Sequence, residues 1–374
     1  MIKTLILYVP ISISFILPII VLSYVSSSIS SVINEYAIIA LLPIFQRLLF
    51  FSRDVKLISY GRQPIPLKLS WLDHLCFCAL CLTAAFIYDS LVVFFACFTS
   101  VIHRLICVNF QKQERLLLLQ FFQSLYFTTA TNLWILMAYA QWQDYLIYLY
   151  WMIVACLSYY LNLICGTEIK LVNNKKIIIN YHLVFETGFA ALKQFILSIS
   201  VLIAPSLDET TALVAKLMQV FVNLTNNIVL PLMNEKRMKI VDICNAQTYS
   251  ISAVNRSWMS GAKNRVLILL VTCFSYVLAT QVNFFDHHSN LFLSLAIKYF
   301  DIFLLMLLIF FIIPPYALVF QVRNKSILNI TAVFTCILVL LPFFSFFPYP
   351  QFFSVSFFLI LHLVSFVFSK GILH

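Results

Sequence analysis

The sequence predicts an all-α polytopic membrane protein with about twelve transmembrane helices in two six-helix lobes. Three observations carry this. Of the 374 residues, 62% are hydrophobic and only 10% are charged, against about 25% charged in a soluble domain. The apolar residues fall into runs of about 20, the length a helix needs to cross about 30 Å of hydrocarbon. Basic residues collect in alternate polar breaks, the positive-inside pattern of a polytopic membrane chain. The mean hydropathy of +0.97 agrees.

The elements follow in order. Lys3 and the apolar run Leu5–Val25 resemble a signal peptide only superficially. The run is too long for a signal core, and no small-residue cleavage site follows it. It reads as helix 1, over 4–26. Helix 2 is expected at 36–52, helix 3 at 72–88, helix 4 at 90–109, helix 5 at 116–140 and helix 6 at 144–165. Helix 7 is expected at 183–204, helix 8 at 211–233, helix 9 at 265–282, helix 10 at 296–320, helix 11 at 327–346 and helix 12 at 351–370. The weakest break is Tyr88-Asp89-Ser90, between helices 3 and 4.

Charge fixes the count. With Lys3 in the cytoplasm, the inner segments hold Arg53, Lys56, Arg62, Lys68, Arg104, Lys112, Arg115, Lys170, Lys175 and Lys176. They also hold Lys236, Arg237, Lys239, Arg256, Lys263, Arg265, Arg323, Lys325 and Lys370. The outer breaks, 27–35, Asp89, 142–144, 205–210, 283–290 and 347–350, contain no Lys or Arg but do contain Glu35, Asp89, Asp144, Asp208, Glu209 and Asp286. Merging helices 3 and 4 would invert the basic loops that follow, so they are split. Both termini are therefore expected in the cytoplasm. The net charge of +10 is an orientation signal beside anionic lipid headgroups and needs no nucleic acid.

The longest polar segments expected to lack helix are Ser52–Trp71, Gly166–His182 and Asn234–Asn264, all cytoplasmic. The second lies near the midpoint. It divides the chain into an N-terminal lobe, 1–165, a linker, 166–182, and a C-terminal lobe, 183–374. No outer break is long enough to form an extracytoplasmic domain.

Several functional classes lack their signatures. Asp73, His74, Cys76, Cys78 and Cys81 do not have zinc-finger spacing, and no second ligand pair follows. Asp286-His287-His288 reads as a solvated loop. The chain has five Gly, no phosphate-binding Gly loop, no Gly-x-Ser-x-Gly and no HExxH. Neither an enzyme nor a cofactor or metal is expected.

Charges inside apolar helices are informative, because each costs about 2.5–3.5 kcal/mol at mid-membrane on insertion scales and usually faces a bundle interior or a wet cavity. Arg47, Glu186, Lys193, Lys216, Lys298 and Asp301 are such residues. Lys193 lies deepest, about 15 Å into helix 7. Arg47, Lys216 and Lys298 are nearer helix ends, within snorkelling reach of an interface. Lys298 and Asp301, three apart, are expected to share a helix face, as are Glu186 and Lys193, seven apart. In helix 8, Asn223, Asn226 and Asn227 share roughly one face and suit hydrogen bonding across to a neighbour or to a ligand. Pro314-Pro315 breaks helix 10 and frees carbonyls in the preceding turn.

Three stretches have a family look. Asn34-Glu35-Tyr36-Ala37-Ile38-Ile39-Ala40 places an acidic residue and Tyr before a small residue at the start of helix 2. Leu207–Asn234 joins an outer loop to an Asn-rich helix with Pro231 near its inner end. Pro315–Pro342 runs from a helix exit through a short basic loop into an Asn-containing helix. With the 6+6 layout, these resemble the polysaccharide-exporter branch of the MOP superfamily, the O-antigen or lipid-linked oligosaccharide flippases of bacterial inner membranes. Ala37 stands where that family usually has Gly.

The resemblance implies two lobes around a central cationic cavity that opens alternately to each side, lined by helices 1, 2, 7 and 8. The substrate it implies is an undecaprenyl-pyrophosphate-linked oligosaccharide. Arg47, Lys193 and Lys216 would line the cavity and meet the pyrophosphate, with Lys298 a further candidate. Asn223, Asn226 and Asn227 would meet sugar hydroxyls. Glu186 and Asp301 are candidates for coupling to a proton or cation, because desolvation favours the protonated carboxyl. Two alternatives stay open. A membrane polysaccharide polymerase or glycosyltransferase has similar helices but generally a large extracytoplasmic loop. A seven-helix chemoreceptor-like protein would require five of these helices to merge or dissolve.

Overall fold

The computed structural model describes residues 17–44, 78–79, 81–83, 85–86, 90–112, 118–119, 121–164, 181–246, 249–260, 265–266, 269–270, 273, 291–323, 326–346 and 349–372. Among the described residues there are helices and no strands, so the fold is all-α. Residues 17–25 form α1, followed by the 3₁₀ turn Ser26–Ser31 and α2, Ile33–Ile44. Then come α3, Leu91–Lys112; a π-turn, Phe121–Tyr126; α4, Phe127–Tyr139; α5, Asp144–Ile164; and α6, Tyr181–Leu202. The C-terminal half holds α7, Glu209–Asn245; α8, Ile251–Met259; α9, Leu291–Lys298; α10, Phe300–Ile312; α11, Tyr316–Val322; α12, Ser326–Phe346; and α13, Phe353–Ile372. The segment 166–180 lies outside the described residues.

Among the described residues three apolar runs, Asp144–Leu161, Phe300–Phe320 and Pro350–Lys370, are long enough to cross a membrane, at 18, 21 and 21 residues. At 1.5 Å per residue each spans about 27–32 Å, the thickness of a hydrocarbon core. Large apolar side chains on them face outward, among them Ile153, Leu157, Leu305, Leu308, Ile312, Leu363 and Val367. Water would penalise that surface, and lipid does not. The chain is a membrane protein.

It divides into two compact units, Met1–Pro18 with Asn34–Phe195, and Ile19–Ile33 with Ile196–His374. In the first, α3 packs along α5. Ala96 and Cys97 keep that face of α3 thin, and Trp134 and Trp151 meet edge to face, with ring centroids 5.4 Å apart. Polar atoms tie α3 to α2 and α5 to α4. Ser100 Oγ donates to the Leu42 carbonyl at 3.3 Å, and Tyr150 OH donates to the Ala130 carbonyl at 2.9 Å. Within lipid such bonds have no competition from water. Gln141 takes a left-handed conformation, φ 52°, in the tight turn from α4 to α5.

In the second unit α7 is the axis, and α8, α10, α11 and α13 all pack on it. Asp208 caps its start, accepting from the Thr211 N–H at 2.9 Å. Hydrogen bonds from the Thr211 side chain and then its backbone N–H hold the Asp208 carboxyl below its usual titration range. The cap is therefore complete above the ordinary carboxylate range and is lost as acid reaches the lowered value.

Helix α7 corrects the expectation that Asn234–Asn264 lacks helix. It runs 37 residues to Asn245, and α8 follows within the same segment. Glu235-Lys236-Arg237-Met238-Lys239 are all good helix formers, and no Gly or Pro interrupts them. Reading by apolarity alone misses a polar helix. At about 55 Å, α7 is nearly twice the hydrocarbon thickness, so part of it stands clear of the lipid core. Helix α8 is capped by Ser250, which accepts from Ala253 N–H, and buries Val254 and Trp258, four apart on one face. Lys236 Nζ donates to Ser260 Oγ at 2.7 Å, and Arg323 donates to the Cys244 carbonyl near the end of α7.

Ser200 illustrates polar pinning within this unit. Its hydroxyl donates to the Pro350 carbonyl at 2.8 Å and meets Ser354 N–H at 3.2 Å and Ser354 Oγ at 3.0 Å. One side chain thus supplies both acceptor and donor to the start of α13, and both serines are fully buried. Ser200→Ala should cost about 1–3 kcal/mol, because it strands buried partners. Thermal unfolding in detergent should show a drop of several degrees. An unchanged midpoint would mean the bonds add no net stability.

Candidate functional site

The best-formed polar site in the hydrophobic part of the second unit lies on α7. Lys216 enters two turns after the Asp208 cap and is buried, only 7% exposed. Its ammonium donates to Gln219 Oε1 at 2.9 Å, and Gln219 is equally buried. Successive helical residues turn by about 100°, so Lys216, Gln219, Asn223, Asn226 and Asn227 fall in an arc of about 100°. This polar stripe runs three turns along a helix otherwise rich in Val, Leu and Phe. Along it Lys216 and Gln219 are buried, Asn223 is exposed and Asn226 is half-buried. Below them, on the opposite side of α7, Phe221 stacks on Phe303 of α10 at 5.2 Å.

Lys216 was expected within snorkelling reach of an interface. It instead stays inside, because Gln219 one turn on gives the ammonium an acceptor there. The lone Gln219 escaped the sequence reading; its signal was its i+3 spacing from the lysine.

The other expected residues are placed as follows. Lys193 is half-buried in α6 and belongs to the first unit, whereas the α7 stripe belongs to the second. Lys298 is exposed, with its ammonium 5.3 Å from the centre of the Tyr299 ring. Asp301 is exposed too. These two do not sit on one continuous helix, since α9 ends at Lys298 and Tyr299 forms a turn before α10. Arg47 lies outside the described residues. Glu186 and Asn227 are in helical backbone, and their side chains lie outside the described atoms. Of the candidate metal ligands, Asp73, His74, Cys76 and Asp286-His287-His288 also lie outside; among the described residues no three His, Cys, Asp or Glu side chains gather.

The break at Pro314-Pro315 is present, between α10 and α11. Pro315 has no N–H for the Phe311 carbonyl one turn back. That carbonyl instead accepts from Trp258 Nε1 at 3.1 Å and from Arg265 at 2.7 Å. The Arg265 guanidinium also lies 4.9 Å from the centre of the Trp258 ring. Arg265, an orientation signal by its place in the sequence, is buried and serves the break.

Comparison with family models, curated proteins and solved structures finds no match for this chain.

Proposed function

We propose that the protein is a transporter that flips an undecaprenyl-pyrophosphate-linked oligosaccharide from the cytoplasmic to the outer leaflet of a bacterial inner membrane. About twelve transmembrane helices, with both termini cytoplasmic, complete the proposal, supported by the alternation of basic and non-basic breaks. The observation that carries it is the buried Lys216–Gln219 pair at the head of the polar stripe on α7. A cation kept in an apolar interior suits an anionic ligand, and a low dielectric strengthens that attraction. Amides farther along the stripe suit sugar hydroxyls. The substrate exposed by turns to each side of the membrane would meet both in sequence.

The direct test is complementation. In a strain that makes lipid-linked repeat units but lacks its own flippase, this chain should restore surface glycan. Lipid-linked units trapped at the inner leaflet, with the chain inserted and abundant, would overturn the proposal. The topology has its own check. Ser206→Cys and Ser289→Cys should label with an impermeant maleimide in intact spheroplasts, and labelling only after the membrane is broken would reverse the map.

A further inference from the structure

His103 is a buried titratable residue in a part of the fold that the proposed transport site does not use. It sits in the middle of α3 and is 6% exposed. Its ring stacks on Phe127 at 5.0 Å and on Tyr126 at 6.4 Å, with planes within 24° of parallel. Its Nε2 bonds the Phe122 carbonyl. Phe122 lies in the π-turn Phe121–Tyr126, where the chain departs from the i→i+4 ladder. The π-turn holds the next helix pair as well: Tyr126 OH and Ser158 Oγ of α5 are 2.9 Å apart. One ring thus joins α3 to the π-turn, and the π-turn joins α5.

Because a carbonyl only accepts, Nε2 carries the hydrogen, and in the neutral ring Nδ1 then presents a lone pair. That Nδ1 is fully buried and, among the described residues, has no hydrogen-bond partner. The arrangement seen is therefore that of the neutral ring. A proton added at Nδ1 makes a cationic N–H with no acceptor among the described residues, and such a group demands water or a partner.

Among the described residues, none beside the ring supplies a compensating negative charge. Along α3 itself the neighbours are Arg104, a like charge, and Cys107, whose Sγ is 3.7 Å from Nε2. From the π-turn the titratable neighbour is Tyr126, and from α4 the facing ring is Phe127. From α5 the group reaching this cluster is Ser158, which does not titrate. The carboxylates among this unit's described side chains are Glu35, half-buried, and Asp144, exposed, which lies near it at the other end of α5. That is about 20 Å from Ser158 along the helix.

We propose that His103 is an intramembrane proton-binding site, and that protonation at Nδ1 releases the π-turn Phe121–Tyr126 from α3. The proton adds to a lone pair and no other bond changes covalently. The packed and released arrangements are the two states, and acid favours the one in which Nδ1 meets an acceptor. Intramembrane histidines of this kind couple proton movement to conformation.

The test is hydrogen exchange of the peptide covering 121–126 in lipid nanodiscs from pH 4.5 to 8, corrected for the intrinsic pH dependence of amide exchange. Protection should fall at least tenfold on acidification in the wild type. His103→Gln, which keeps a donor for the Phe122 carbonyl but cannot take the proton, should show no such fall. A wild type without pH dependence, or a His103→Gln variant that retains it, overturns the proposal. If His103→Gln does not insert, Tyr126→Phe decides. It keeps the histidine but cuts the bond to Ser158, so release should move to higher pH, and an unmoved transition would refute the mechanism.

Discussion

Replacing Lys216 by Met should reduce flipping by about 10- to 100-fold while leaving the protein inserted and about as stable as the wild type. The two halves of this result have separate causes. A charge-assisted hydrogen bond to an anionic ligand is worth about 1.5–3 kcal/mol, and 1.4 kcal/mol is a factor of ten. The stability half rests on opposing terms. Removing an ammonium from an apolar interior relieves about 2.5–3.5 kcal/mol on insertion scales. Losing the 2.9 Å bond strands Gln219 Oε1, at about 1–3 kcal/mol. The double change Lys216→Met with Gln219→Leu removes the stranded oxygen as well, so it should raise the melting temperature above wild type. Gain of stability with loss of transport marks a residue retained for function. Lys216→Arg should keep part of the activity, because the charge stays and the geometry changes. Wild-type export by Lys216→Met, measured as surface glycan per inserted molecule, would remove Lys216 from the transport step. A large loss of stability at unchanged export would make the pair structural.

The parts of the fold visible in the sequence were those set by one-dimensional physics. Apolar run length gave helices at 144–165 and 351–370 that the structure places at Asp144–Ile164 and Phe353–Ile372. Two adjacent prolines gave the break between α10 and α11. The polar extension of α7 was missed because hydropathy measures partition into lipid, and a helix needs no lipid if its residues have helical propensity and tertiary contacts. At the candidate site the anomaly of Lys216 was legible in the sequence. That Lys216 remains inside depends on Gln219, an ordinary residue until its partner is known. His103 was illegible for a related reason. One histidine in an apolar helix says nothing, and the π-turn facing it is a departure from helical geometry that no residue in FFQSLY announces.

Arg265 shows how a residue can carry one signal in sequence and another role in three dimensions, and its loss should be the most destabilising single change outside the packed aromatic core. Arg265→Ala removes a charged donor from the Phe311 carbonyl, worth about 1.5–3 kcal/mol, together with the guanidinium that lies over the Trp258 ring. A total near 3 kcal/mol should lower the melting temperature by several degrees in a chain of this size. Trp258→Phe keeps most of the buried ring and loses only the 3.1 Å bond, so its cost should be nearer 1 kcal/mol. The cause can be isolated through Pro315. Pro315→Ala restores the N–H that an unbroken helix would aim at the Phe311 carbonyl. If the arginine is needed because that carbonyl is orphaned, Arg265→Ala should cost at least about 1 kcal/mol less in the Pro315→Ala background than in the wild type. Additive effects in that double-mutant cycle would show that Arg265 acts through packing or charge elsewhere, and that the proline break stands without it.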